Sequence, residues 1–282
     1  MSNSKTGKTF TLGEDLTVNR LGFGAMRITG SGVWGPPENK PEAIKVLKRA
    51  VELGVNFIDT ADSYGPNVSE ELIAEALYPY SNDLVIGTKG GFRRSGPGEW
   101  SIDASPKHLK QALEGSLKRL KLDCIDLYQL HRIDSKVPAE ETFSFLKQAQ
   151  QDGKIKHIGL SEVNISEIKM GRTFFEVVSV QNMYSIDNRK WESELEYCEA
   201  NNIAFIPWYP LNAGKVEKLT VLQKIADQNK STVHQVALSW LLHHSNAILL
   251  IPGTSSVKHL EENIKAAALE LSDEDMKELD KL

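Results

Sequence analysis

The chain has 282 residues, of which 40% are hydrophobic and 25% charged, and its net charge is −5. Those proportions describe a globular protein with a sizeable core, at a length ordinary for a single β/α barrel. The mild negative balance, with no basic block set against it, argues against nucleic acid as a partner. Along the chain, the segments 9–12 and 18–21, joined across Gly13-Glu14-Asp15, predict a β-hairpin, and a first core strand follows near 20–24. A helix begins near Pro41, with Ala43, Val46, Leu47, Ala50 and Val51 on one face, and Gly54 stops it before a strand ending at Asp59. The apolar run 84–89 ends at Lys89. Ser105 and Pro106 supply an N-cap and a first-turn proline for a helix striped by Leu109, Ala112, Leu113, Ser116, Leu117 and Leu120. The strand 124–130, a helix over 139–151 and the strand 155–160 come next. Three more strands are expected at 177–181, 204–208 and 247–251. Thr232 and Gln235 form a capping box, and Ser272 caps a final helix.

Eight strands alternating with helices imply a parallel sheet covered by helices. An open doubly wound sheet would need a phosphate fingerprint after its first strand, but Gly22-Phe23-Gly24 does not lead into a glycine-opened helix. The expected fold is therefore α/β, a single (β/α)8 TIM-type barrel over residues 1–282 whose N-terminal β-hairpin plugs the floor. Cys124 and Cys198 have neither metal-site spacing nor a disulfide framework, which fits a reducing compartment. Residues 1–8 are polar, and no apolar run nears the roughly 20 residues of a membrane helix, so a cytoplasmic protein with no membrane partner is expected.

In such a barrel the carboxyl ends of the strands converge on one mouth. Asp59, Lys89 and His131 end three successive strands, and Tyr64 follows in the loop after the first of them. A lysine beside a buried phenol lowers its pKa, and a carboxylate behind the lysine keeps it charged. The four together make a proton-donating site, with histidine placed to orient a carbonyl. Each has a structural alternative when taken singly, but four at neighbouring strand ends do not. Asp62, a competing carboxylate, is expected to stabilise its turn rather than to pair with Lys89.

The segments 57–65, Thr88-Lys89, Leu130-His131 and 251–256 resemble the signature segments of the aldo-keto reductases, in the right order over about 18–263. The resemblance implies reduction of aldehydes and ketones with a nicotinamide cofactor, NADPH, or NADH at lower affinity. It makes Tyr64 the acid, Lys89 and Asp59 its tuning pair, and His131 a hydrogen-bond donor to the same oxygen. It assigns the nicotinamide carboxamide to Ser161, Glu162 and Gln181, although many relatives carry asparagine where Glu162 stands. Trp208 matches the stacking aromatic, with Leu211 nearby and Lys215 in reach of the pyrophosphate. Gly253, Thr254, Ser255, Ser256 and His259 match a site for the adenosine phosphate, and Glu262 and Asn263 match adenine contacts. Gly253 and His259 stand where relatives often have lysine and arginine, Lys258 is a partial substitute, and no acidic residue lies within 253–258. Substrate walls are expected from loops carrying Trp34, Trp100 and Arg132.

The segments 35–37 and 77–80 are similar to bacterial members that include pyridoxal reductase-like enzymes, which makes pyridoxal the leading substrate. A monomer or weak oligomer acting on a small carbonyl compound is expected. Two other functions are open to these residues: a cofactor-binding sensor or partner subunit with residual catalysis, and a Schiff-base lyase with Lys89 as nucleophile.

Overall fold

A computed structural model describes residues 8–212, 216–217 and 219–282. The chain opens with the antiparallel pair β1 (Thr9–Leu12) and β2 (Leu16–Asn19). The second strand starts earlier than the expected 18–21. Gly13 takes a left-handed φ of 58°, so the chain reverses at once and Leu12 pairs with Leu16. Leu12, Leu16 and Val18 then point into the core under the sheet.

The units that follow are β3 (Phe23–Gly24), α1 (Lys40–Glu52), β4 (Phe57–Asp59), α2 (Val68–Leu77) and β5 (Val85–Gly90). A second hairpin, β6 (Phe92–Gly96) with β7 (Glu99–Ile102), precedes α3 (Pro106–Leu120) and β8 (Ile125–Leu130). The chain continues through α4 (Ala139–Gln151), β9 (Ile155–Ser161), α5 (Ile165–Gly171), β10 (Val177–Gln181), α6 (Glu192–Ala200) and β11 (Ala204–Phe205). The helices α7 (Thr220–Gln228), α8 (Val233–His244), α9 (Val257–Lys265) and α10 (Asp273–Leu279) complete the described order.

The core sheet runs β11-β10-β9-β8-β5-β4-β3, and every pairing in it is parallel. The segment 247–251 joins its two edges. Leu249 N and Phe205 N exchange backbone bonds with Phe205 O and Ala247 O on one side, and Gly22 N and Leu250 N do so with Leu250 O and Arg20 O on the other. The molecule is thus an α/β barrel of the TIM type. At 204–208 regular pairing stops at Phe205, and Trp208 only bridges Met183.

The capping signals act as their sequence implies. Ser105 Oγ accepts from His108 N, and Thr232 with Gln235 and Ser272 with Asp275 form reciprocal boxes. Phe57, Val85, Leu127, Val178, Ala204 and Leu249 share one buried cluster with the N-terminal hairpin, which therefore closes the barrel on that side. Among the described residues no helix is long and apolar enough to cross a membrane, and no group of three or more His, Cys, Asp or Glu is placed to hold a metal ion.

Candidate active site

In-phase parallel register brings the strand ends together. Asp59 of β4 pairs with Gly87 of β5, and Lys89 of β5 pairs with Gln129 of β8. Lys89 is wholly buried, and its ammonium has three acceptors: Asp59 Oδ1 at 2.6 Å, Thr60 O at 2.7 Å and the Tyr64 hydroxyl at 3.4 Å. The second carboxylate oxygen of Asp59 accepts amide bonds from Gln129 and Gln181, each 3.0 Å. A buried ion pair is tolerable only when its remaining lone pairs and protons are satisfied in this way. Burial opposes the charge on Lys89, but Asp59 and Tyr64 more than offset it and hold the pKa above the usual lysine value.

The phenol departs from the simple expectation. Burial pushes the Tyr64 pKa up, and the Lys89 charge offsets only part of that rise, so the hydroxyl stays protonated well beyond neutrality. His131 goes the other way: burial first, then the charges of Lys89 and Arg132, hold its pKa well below the ordinary imidazole value. It is a neutral ring at physiological pH, and its Nδ1 is buried without a hydrogen-bond partner among the described residues. Its ring stands edge-on to Tyr64 at 6.0 Å and to Phe92 at 4.6 Å.

These groups face a cavity of about 420 Å³ lined by Asp59, Tyr64 and His131. Trp100, Phe92 and Arg132 line it as well, with the Trp100 ring 6.4 Å from that of Tyr64. Arg132 Nη1 donates to His131 O at 2.5 Å and to Ser161 Oγ at 2.9 Å. Trp34 does not line the cavity. Its neighbour Val33 does, while Trp34 itself bridges Gly65 beside Tyr64. The 90–100 region, expected as a loop, is the β6–β7 hairpin. Arg94 ties it down, donating to Val33 O and Ser63 O at 2.8 Å each while its guanidinium lies 3.6 Å from the Trp100 ring centre. Neither Phe92 nor Arg94 stands out in the glycine-rich, charged sequence of this segment.

Ser161, Gln181, Trp208, Leu211 and Gly253 also line the cavity. Ser161 Oγ donates to Gln181 O at 2.8 Å. Glu162 does not line it. With a left-handed φ of 55°, its Oε1 accepts from Trp208 Nε1 at 2.7 Å and Met183 N at 2.6 Å, so the carboxylate fixes the indole. Tyr209 also lines the cavity, edge-on to Trp208 at 5.1 Å, and nothing in the sequence singles it out.

Thr254, Ser255, Ser256, His259, Glu262 and Asn263 lie beyond the cavity wall, around the start of α9. Thr254 Oγ1 accepts from Ser256 N at 3.1 Å, Asn263 is buried, and Ser255 and His259 are exposed. Lys258 is 81% exposed and 3.9 Å from Glu262. The expectation that no acid faces this helix start needs correction. The fold brings Glu42 of α1 to it, and Glu42 Oε1 accepts from Val257 N at 3.3 Å. Lys215 lies outside the described residues.

The profile of the aldo/keto reductase family matches residues 20–282. The chain belongs to the aldo/keto reductase family. It is 44% identical over 281 residues to pyridoxine 4-dehydrogenase of Escherichia coli, covering 98% of each chain. It is 53% identical over 267 residues to an uncharacterized oxidoreductase of Schizosaccharomyces pombe, covering 94% of this chain and 87% of that one. Among solved structures, an aldo-keto reductase of Klebsiella pneumoniae in complex with NADPH superimposes with a TM-score of 0.83 at 25% identity, covering 97% of this chain and 94% of that one. A thermostable aldo-keto reductase bound to the inhibitor epalrestat gives a TM-score of 0.84 at 32% identity, covering 97% and 98%.

Behind this reductase cavity lies a second buried polar group. Asp62 N donates to Lys89 O at 3.1 Å and Asn67 N donates to Asp62 O at 2.7 Å, so its backbone secures the turn that carries Tyr64. Its side chain is not a partner of Lys89. Oδ1 has no hydrogen-bond partner among the described residues. Burial, aided by nearby Glu70, pushes the carboxyl pKa up to about 8. The folded pKa exceeds the ordinary 3.8, so the folded chain binds the extra proton between those values. Stability from this group is therefore full below the lower value and falls as pH rises toward the upper one. Asp62→Asn is expected to remove that slope, gaining on the order of a few kcal/mol at pH 8 and little near pH 4. Urea midpoints of both proteins across this range check it, and parallel curves would count against it.

Proposed function

We propose that the chain is an NADPH-dependent reductase of small aldehydes and ketones in which Tyr64 is the general acid. Pyridoxal, reduced to pyridoxine, is the leading specific substrate. The observation that carries this reading is the buried Lys89 ammonium held between Asp59 and the Tyr64 hydroxyl at the cavity floor. The family match supports carbonyl reduction, the NADPH-bound relative supports the cofactor, and the pyridoxine dehydrogenase relative supports the substrate.

The residues present fit a nicotinamide: the aromatic Trp208 and Tyr209 line the same cavity as Tyr64, together with the polar side chains of Ser161 and Gln181. Ser161, Gln181 and Trp208 would hold the ring, and the turn 253–256 with Glu262 and Asn263 would hold the adenosine half. The segment 247–251, counted as the eighth strand of a (β/α)8 barrel, carries that turn. When bound, the cofactor supplies the hydride that adds to the carbonyl carbon. The Tyr64 hydroxyl gives its proton to the carbonyl oxygen, and the Lys89 charge stabilises the phenolate that remains. The neutral His131 ring donates a hydrogen bond to the same oxygen. Phe92 and Trp100 supply apolar surface beside His131 and Tyr64 for the substrate.

A Schiff-base lyase is disfavoured because Lys89 is fully buried and its three acceptors hold it as an ammonium, which is not a nucleophile. The preference for NADPH over NADH is modest, because Gly253 and His259 replace basic residues and Glu42 faces the start of α9.

Reduction needs a protonated Tyr64 and a neutral His131, and both are present across neutrality. The expected profile of kcat/KM is flat over about pH 6 to 8 and falls only in the alkaline range where the phenol ionises. A break near the ordinary histidine pKa, abolished by replacing His131, would contradict the assignment. The direct test of the function is NADPH oxidation over a panel of aldehydes that includes pyridoxal. Turnover with aldehydes is expected, and oxidation with none of them would reject the reading.

A further inference from the structure

Gly253 lies on the cavity wall, yet no side chain fits there: a Cβ would stand 2.6 Å from Gly24 O. Gly24 is pressed against the same strand end in return, since its own Cβ would stand 2.5 Å from Ile251 O. The two backbones touch, so the strand end itself offers no cation to an anion in the cavity. The side chain nearest this point is Arg27, whose Cγ is 3.5 Å from the position a Gly253 Cβ would take. Arg27 is exposed and lines the same cavity as Tyr64 and His131. No hydrogen bond or ion pair engages it among the described residues. The other arginine on the wall, Arg132, is engaged by His131 O and Ser161 Oγ.

The place of Arg27 along the cavity decides what it would meet. Tyr64, His131, Ser161 and Gln181 mark the nicotinamide end of the cavity. Ser255, Ser256, His259, Glu262 and Asn263 lie past Gly253, at the adenosine end. Arg27 stands beside Gly253, between the two. The start of α9 is poorly free to neutralise a bridging anion, because Glu42 already takes the Val257 amide. A guanidinium presents paired donors that match two phosphate oxygens. On the footing of the cofactor reading above, we propose that Arg27 is the residue that neutralises the pyrophosphate of the bound dinucleotide. It does so from the segment after β3.

The test is quenching of tryptophan fluorescence on titration with NADPH and with NADH, since Trp100 and Trp208 line the cavity. Both cofactors carry the pyrophosphate. Arg27→Met is therefore expected to weaken both by a similar factor of about tenfold or more, the range for losing a hydrogen bond to a charged group. Arg27→Lys, which keeps the charge without the fork, is expected to recover part of the loss. Arg27 is exposed and unpartnered, so its replacement does not disturb the core. Unchanged affinity for both cofactors in Arg27→Met would overturn the proposal. So would a loss confined to NADPH, which would place the guanidinium on the ribose phosphate. A wild-type protein that binds neither cofactor would overturn the cofactor reading itself, and this proposal with it.

Discussion

Tyr64→Phe is expected to lower carbonyl reduction by roughly 10²–10⁴-fold, the range for removal of a general acid, with cofactor affinity nearly intact. The phenylalanine ring keeps the edge contacts with Trp100 and His131, so the cavity wall retains its shape. Lys89 loses one of three acceptors but keeps Asp59 and Thr60 O, so the ammonium stays satisfied. What disappears is a protonated hydroxyl at the cavity floor beside a fixed cation. Steady-state rates with an ordinary aldehyde and a cofactor titration on the same preparation check both halves. An activity loss below about tenfold, well short of that range, would remove Tyr64 from the acid's role.

Lys89→Met should be comparably damaging to the rate, for a different reason, and should also destabilise the fold. The phenolate formed as the proton leaves Tyr64 would lose its counter-charge inside a buried site. Asp59, only 2% exposed, would keep the amides of Gln129 and Gln181 but no cation. Removing one partner of a buried ion pair typically costs about 3–5 kcal/mol. Asp59→Asn should be milder, because an amide oxygen can still accept from Lys89. Denaturation midpoints together with kcat for the two variants test this ordering. Wild-type activity in Lys89→Met would sink the model of four cooperating residues.

The strand ends that carry Asp59, Lys89 and His131 were legible because each closes a short apolar run, and parallel register does the rest. Helix starts at Ser105, Thr232 and Ser272 were legible because capping is local chemistry between residues three apart. The β6–β7 hairpin was hidden because glycine, proline and charge dominate its sequence, and its fixing bonds come from Arg94 to distant carbonyls. The shift of β2 to Leu16–Asn19 follows from the positive φ at Gly13, which a propensity argument does not supply. Glu162 looked like a weakened cofactor contact because its partner, Trp208, is brought to it only by the barrel. Glu42 was invisible for the same reason, meeting Val257 across 215 positions of sequence. Burial outweighing Lys89 at Tyr64 is likewise a property of the folded interior.

The central claim is that this cavity moves a hydride from the cofactor to a carbonyl carbon while Tyr64 protonates the oxygen. It is tested most directly by supplying NADPH deuterated on the transferring face of its nicotinamide and analysing the alcohol formed from pyridoxal or another active aldehyde. The account predicts one deuterium on the former carbonyl carbon in the product of the wild-type enzyme, with formation of that product collapsing in Tyr64→Phe. A product without the label, or a substrate adduct trapped on Lys89 by borohydride in the absence of cofactor, would contradict it.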